Sequence, residues 1–230
     1  MFQLHQTRTQ RIIRLLIYLF TSAMVFLLSR REVRGVDSVP EHGSLLIVAN
    51  HISMADQYFI GVSLKRRIRY MAKEELFRYW PLRLLVESFG AFPVRRGGAD
   101  RRALDNACRV LDSGMALFMF PEGTRSKDAR LQPSFSGSAL IALRNSIPIL
   151  PVGITGLENL RKGLIWCFFH RPRVTVNIGC PFYLKHVEGK LSRKQLVELA
   201  GDIMEHIAEL LPPRYQGHYT GRVDSNGTED

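Results

Sequence analysis

Apolar positions follow two different patterns along this chain. From Ile12 to Leu28 (IIRLLIYLFTSAMVFLL) they are nearly continuous for seventeen residues, broken by one charge at Arg14. From Leu15 onward the run is uncharged for fourteen residues. A comfortable membrane span needs about 20 apolar residues, so this helix is short for a crossing. It is apolar on nearly every face and ringed by Arg8, Arg11, Arg30, Arg31 and Arg34. That pattern predicts a helix that associates with a membrane, lying in the interface, in preference to a buried core helix. Arg14, near one end, is placed to snorkel to headgroups. Leu28-Ser29-Arg30-Arg31 offers no small-x-small cleavage site, which argues against a secretory signal.

Beyond residue 32 the pattern changes to short apolar runs alternating with helical periodicity. Ser44–Ala49 and Met115–Phe120 read as buried strands. Ile147–Ile154 reads as a third, with prolines that favour its ends or a sheet edge. Arg173–Ile178 alternates and reads as a fourth. Between them, Ala103, Leu104, Ala107, Cys108 and Leu111 keep helical spacing up to a stop at Gly114. Ser192 with Gln195 forms a capping box ahead of the stripe Leu196, Leu199, Ala200, Ile203, Ile207 and Leu210, and Pro212-Pro213 ends that helix. Leu164–Phe169 is a further apolar run, a buried strand or a segment that dips into lipid. The expected fold is α/β: a mostly parallel central sheet covered by helices, with the N-terminal membrane-associating helix attached. The expected division is residues 1–32 for that helix, 33–213 for the main domain and 214–230 for a polar, disordered tail.

Composition narrows the function. In 230 residues there are 32 Lys+Arg against 21 Asp+Glu, a formal net charge of +11. Such an excess calls for a polyanion, an anionic membrane or an anionic substrate. Residues 65–109 alone carry twelve Lys+Arg and five Asp+Glu, with Lys65-Arg66-Arg67-Ile68-Arg69 the densest run. That run either faces anionic headgroups or forms a solvated loop. Three widely spaced cysteines, Cys108, Cys167 and Cys180, give neither a disulfide framework nor a zinc cage, and point to a reducing compartment. No metal or cofactor is expected.

Three stretches carry candidate chemistry. Asn50-His51-Ile52-Ser53-Met54-Ala55-Asp56 follows the first strand. On one continuous helix His51 and Asp56 would be rotated by about 140° and would not meet. They meet if His51 lies in the strand–helix loop and Asp56 in the first helical turn, where Asp56 orients His51 as a base. Alternatively Asp56 only completes a Ser53-x-x-Asp56 capping box and His51 is a loop histidine. Phe120-Pro121-Glu122-Gly123-Thr124-Arg125-Ser126 follows the second strand as a glycine loop with an arginine suited to an anion; a surface turn with a Glu122–Arg125 salt bridge is the plainer alternative. Gly90-Ala91-Phe92-Pro93-Val94-Arg95-Arg96 is a strand end followed by two arginines, either solvated or anion-binding.

In this order and spacing the blocks resemble those of glycerolipid acyltransferases of the 1-acylglycerol-3-phosphate acyltransferase type, over about residues 33–211. The Asn-His-x4-Asp block is Asn50, His51 and Asp56. The Gly-x-x-Phe/Leu-Ile/Val-x-Arg block is Gly90 to Arg96. The Phe-Pro-Glu-Gly-Thr-Arg-Ser block is complete at Phe120–Ser126, and the proline-centred apolar run is Ile147–Gly153. At Ser134-Phe135-Ser136-Gly137 the chain departs from relatives that carry a lysine. The resemblance implies transfer of an acyl chain from acyl-CoA or acyl carrier protein to the sn-2 hydroxyl of lysophosphatidic acid. It implies His51 as base, Asp56 as its orienting carboxylate, and Asn50, Arg95, Arg96, Glu122, Gly123, Thr124 and Arg125 in substrate binding. Backbone N–H groups near Gly123 are candidate oxyanion donors. Another lysophospholipid or glycerol-3-phosphate is the alternative acceptor. The implied partners are a phospholipid membrane, the lysophospholipid acceptor and the acyl donor, with the site on the cytoplasmic face. A non-catalytic, basic membrane- or nucleic-acid-binding protein is the competing class. Without an RNA-recognition signature or helix-turn-helix pairing, and with an apolar N-terminal segment, nucleic acid is not an expected partner.

Overall fold

The structure, a computed structural model, describes residues 7–64, 66–95, 100–185 and 191–221. Helix α1, Arg8–Leu28, is capped by Thr7, whose side chain accepts from the Gln10 amide. Among the described residues it is the one helix long and apolar enough, by length and composition, to cross a membrane. The chain then enters a seven-stranded sheet through β1 (Arg30–Arg34), β2 (Leu45–Ala49), β3 (Ile68–Lys73), β4 (Ala91–Val94), β5 (Ala116–Met119), β6 (Ile149–Thr155) and β7 (Arg173–Ile178). Spatially the order is β1-β7-β6-β2-β5-β3-β4. Strands β6, β2, β5, β3 and β4 run parallel; β7 turns back antiparallel on β6, and β1 pairs parallel with β7. All five residues of β2 are buried, as expected for a central strand covered on both faces.

The crossovers carry α2 (Asp56–Ser63), α3 (Trp80–Ser88), α4 (Arg101–Asp112) and α5 (Gly137–Asn145). The remaining helices are α6 (Leu164–His170), α7 (Arg193–Glu209) and α8 (Pro213–Gln216). They form two packed groups: α1 with α2, α3 and α6, and α5 with α4 and α7. Right-handed crossovers require this split. The step from β2 to β3 moves one way along the sheet and the step from β5 to β6 the other, so α2 and α5 lie on opposite faces. A crevice therefore opens at the carboxyl ends of the neighbouring strands β2 and β5.

Several expectations change. Of the two prolines, Pro148 directly precedes β6, at its end as expected, while Pro151 sits within this interior strand. Val48 pairs with Pro151, and on the other side the Pro151 carbonyl accepts from Gly179 N–H, 3.0 Å. The missing proline N–H falls where β6 passes from the Phe182 bridge to the β7 ladder, so no ladder bond is lost. Leu164–Phe169 forms helix α6 and not a strand. Arg30–Arg34, placed largely with the N-terminal segment by a boundary at 32, is already a sheet strand. In the basic run, Lys65 lies outside the described residues. Arg66 donates to the Pro40 and Gly43 carbonyls, and Arg69 is a buried residue of β3. The polar C-terminal segment is ordered at first: Arg214–Tyr219 pack back, with Tyr215 and Tyr219 buried and Leu131 bonded to the Tyr215 carbonyl. Two aromatic rings supply the apolar area that this segment's polar composition concealed. Residues 222–230 lie outside the described residues.

Candidate active site

The site begins where β2 ends. Asn50 Nδ2 donates to the Ile154 carbonyl at 2.9 Å and Asn50 Oδ1 accepts from Ile154 N–H at 2.7 Å. The carboxamide thus stands in for the next peptide of β2, satisfying β6 while the main chain turns away at His51. An isosteric carboxylate lacks the donor, and an aliphatic side chain lacks both groups.

His51 is held from four sides. Its N–H donates to Glu122 Oε1 at 2.8 Å, and its carbonyl accepts from Ser126 N–H at 2.7 Å. Its ring stacks on Phe120, with centroids 3.8 Å apart and planes 9° from parallel. Nδ1 lies 2.8 Å from Asp56 Oδ2. His51 is in the loop after β2 and Asp56 is the first residue of α2, the arrangement that lets residues five apart meet. Ser53 does not start the helix; its N–H and that of Ile52 donate to the same Oδ2, at 2.8 and 2.7 Å. One carboxylate oxygen at a helix N-terminus therefore accepts three hydrogen bonds. Asp56 is fully buried. Burial pushes its carboxyl above the ordinary range, and the His51 hydrogen bond followed by the two amides pulls it back. With Asp56 accepting, Nδ1 carries the proton and Nε2 keeps its lone pair for chemistry.

Glu122 differs from the expectation placed on it. It is 2% exposed, and its second oxygen accepts from Gln132 N–H at 3.1 Å. Both oxygens are thus engaged by main-chain amides, and no Glu122–Arg125 bridge forms. Burial, with the nearby charges of Asp56 and Asp128 adding to it, raises its pKa to about 7 against the pull of the two amides. Glu122 is a positioning residue that joins the two loops, as Asn50 is for β2 and β6. Gly123 adopts φ +64°, and the Phe135 ring occupies the space a side chain would take. Its N–H is spent on the Phe120 carbonyl at 3.0 Å. Thr124 and Arg125 are exposed, and their amides make no hydrogen bond among the described residues. The free donors of this loop therefore lie one and two residues past the glycine. Arg95 is tied down, its Nε 2.9 Å from Glu74 Oε2 and its amide on Asp100. Arg96 lies outside the described residues. Phe120, Ser126, Gln132 and Ile154 support the site without being singled out by sequence; the first two sit in a quoted block, and the last two have no local signal.

A histidine hydrogen-bonded to a buried carboxylate, set at the carboxyl ends of parallel strands beside unspent amides, is an arrangement suited to proton-coupled group transfer. The chain belongs to the acyltransferase family, whose sequence profile it matches over residues 30–155. It is 30% identical over 188 residues to the 1-acyl-sn-glycerol-3-phosphate acyltransferase of Streptococcus pneumoniae, covering 80% of this chain and 67% of that protein. The Bacillus subtilis protein of the same name is 26% identical over 194 residues, covering 82% and 94%. The chloroplastic Brassica napus enzyme is 28% identical over 168 residues, and the chain spans about half of its length (48%). Among solved structures, the 1-acyl-sn-glycerophosphate acyltransferase PlsC of Thermotoga maritima superposes with a TM-score of 0.63 at 27% identity. That match covers 87% of this chain and 80% of the other.

Proposed function

We propose that this protein transfers an acyl chain from an acyl thioester, acyl-CoA or acyl carrier protein, to the sn-2 hydroxyl of lysophosphatidic acid, forming phosphatidic acid. The observation that carries the proposal is the His51–Asp56 pair bonded into the Phe120–Ser126 loop. His51 Nε2 takes the acceptor's hydroxyl proton as its oxygen attacks the thioester carbonyl. Asp56 stabilises the resulting imidazolium and Phe120 offers it a π face. The Thr124 and Arg125 amides are the candidates for the oxyanion. As the C–S bond breaks, the imidazolium returns its proton to the leaving thiolate. The Arg125 guanidinium, exposed and without an ion pair among the described residues, is suited to the acceptor phosphate, with Arg96 as its companion in the motif.

The site meets its lipid substrate at a bilayer. On α1, Leu16, Phe20 and Phe26 are exposed; beside it Trp80 of α3 is 77% and Phe169 of α6 75% exposed. Arg171 donates to the Phe26 carbonyl at 2.8 Å and joins α6 to α1. This apolar face, rimmed by arginines, seats in the interface on the cytoplasmic side, where acyl thioesters are made. The test is a panel of acceptors and both donor classes with purified protein, the products identified by mass spectrometry. Phosphatidic acid formed by the wild type and not by His51→Ala is the expected result. A preference for glycerol-3-phosphate or another lysolipid would reassign the acceptor, and no transfer to any would sink the proposal.

A further inference from the structure

Away from the catalytic loops, a cavity of about 440 Å³ opens between the first half of α1, the outer side of α2 and the start of β3. Four arginines line it, Arg11 and Arg14 from α1 and Arg66 and Arg67 ahead of β3, and among the described residues no carboxylate does. Arg14, expected to snorkel outward, instead lines this space. Arg69, buried behind the cavity, has its guanidinium held below the ordinary range by burial and then by the positive charges of Arg14 and Arg67. Arg66 spends two of its N–H groups on the Pro40 and Gly43 carbonyls, whereas Arg11 and Arg67 have no carboxylate in ion-pair reach among the described residues, and like charges gathered in a partly desolvated space favour an anion between them. Tyr58 and Tyr70 line the wall, and Gly61 of α2 leaves room for the Tyr70 hydroxyl that a methyl group would fill. Leu15 both lines the cavity and is 56% exposed on the apolar face of α1. An occupant there has its head among arginines and its tail along α1, which describes an amphiphilic anion.

We propose that this cavity binds the phosphate head of an anionic phospholipid, which bridges α1 to the catalytic domain and fixes how the domain sits on the bilayer. The inference rests on the reading of the α1 face as membrane-seated, but not on the catalytic assignment. The lining includes neither His51 nor Asp56 nor any residue of the Phe120–Ser126 loop.

The test uses the full chain and a short-chain, soluble phosphatidylglycerol, which lacks the free sn-2 hydroxyl of an acceptor. At about tenfold its dissociation constant the probe should raise the melting temperature by about 3–6 °C. The rise should be equal in the wild type and in His51→Ala, and absent in the double variant Arg11→Gln/Arg67→Gln. In flotation, adding phosphatidylglycerol to phosphatidylcholine vesicles should strengthen binding of the wild type more than that of the double variant. A photoactivatable phosphatidylglycerol should label peptides from residues 8–18 and 57–70 of the wild type, an outcome that needs no variant. An equal thermal shift with inorganic phosphate would reassign the site to a free anion and overturn the lipid reading. So would a double variant that responds like the wild type, or labelling confined to other peptides. A rise of about tenfold in the double variant's KM for a soluble lysophosphatidic acid would make the cavity part of the acceptor site instead.

Discussion

Two regions of this protein are built on opposite principles. At the carboxyl ends of β2 and β5, His51, Asp56, Glu122 and Asn50 are buried and tied by bonds of 2.7–3.1 Å, each with a named donor and acceptor. On the face of α1, α3 and α6, large apolar side chains stand in the open with few directed contacts. The first region works through single atoms, so removing one atom should cost much. The second works through area, so one side chain should cost little and a patch more.

The sharpest test of that contrast is at the base. His51→Ala should lower kcat by about 10²–10⁴-fold in a protein that still folds, and Asp56→Asn should come close, because the amide oxygen can keep the three hydrogen bonds of Oδ2 but the negative charge that stabilises the imidazolium is gone. A folded His51→Ala protein with near wild-type turnover would erase the distinction between the regions. Next in size is Asn50→Leu, similar in volume but unable to pair with Ile154. We expect a loss of about 1–3 kcal/mol by denaturant unfolding and about a tenfold or greater fall in kcat, since the His51 loop loses its anchor to β6. Unchanged stability would show that the amide bridge is replaceable.

Glu122 gives a pH signature. Its pKa is raised from the ordinary glutamate range to about 7, so the folded state binds a proton that the unfolded state has released. Stability from this group is present at acidic pH and falls as pH rises toward and through about 7, by on the order of 2–3 kcal/mol at most. Glu122→Gln should flatten that part of the stability–pH curve, read by chemical denaturation at several pH values. It should also lower kcat about tenfold, because an NH2 group now faces an amide donor. A slope identical to the wild type would remove Glu122 as its source. The smallest effect is expected on the open face. Phe168→Ser/Phe169→Ser should weaken vesicle flotation while leaving kcat on a soluble acceptor within about twofold. Loss of soluble turnover would mean that α6 supports the core and not the bilayer.

The same contrast explains what the sequence made legible. Strand β7 was readable to the residue from its alternation, and β2 to within one residue from its unbroken apolar run, because both patterns are local. The His51–Asp56 pairing was readable because the end of β2 puts the histidine in a loop ahead of a helix, although Ser53, which suggested the helix start, lies in that loop and donates its N–H to Asp56. Strand β3 was concealed in the basic run, since Arg69 and Lys73 obscure a strand whose partners, β4 and β5, are supplied by tertiary structure. Glu122 read as a substrate contact, or alternatively as a surface residue paired with Arg125, and only the Gln132 and His51 amides, ten residues downstream and a strand away, account for its burial. Arg14 looked like a lipid-facing charge because a helix sequence alone does not say which side the domain will cover. For α6 the strand alternative fails and the lipid-facing one does not, because an apolar run of six residues fits a strand or a helix equally, and its exposed Phe168 and Phe169 follow from a partner, α1, more than a hundred residues away.

The parallel stack of Phe120 on His51 has a spectroscopic consequence. A proton above the centre of an aromatic ring is shielded by the current induced in it, so the imidazole C–H resonances of His51 should appear upfield of the ordinary histidine region, as should those of His206, stacked on Phe182 at 3.7 Å, and His170, stacked on Trp166 at 4.3 Å. Once assigned, that signal makes the proposed base observable in the resting protein, where its titration can be followed without substrate or turnover. Phe120→Leu, which keeps an apolar neighbour but removes the ring current, should return the resonance to the ordinary histidine region and so assign it.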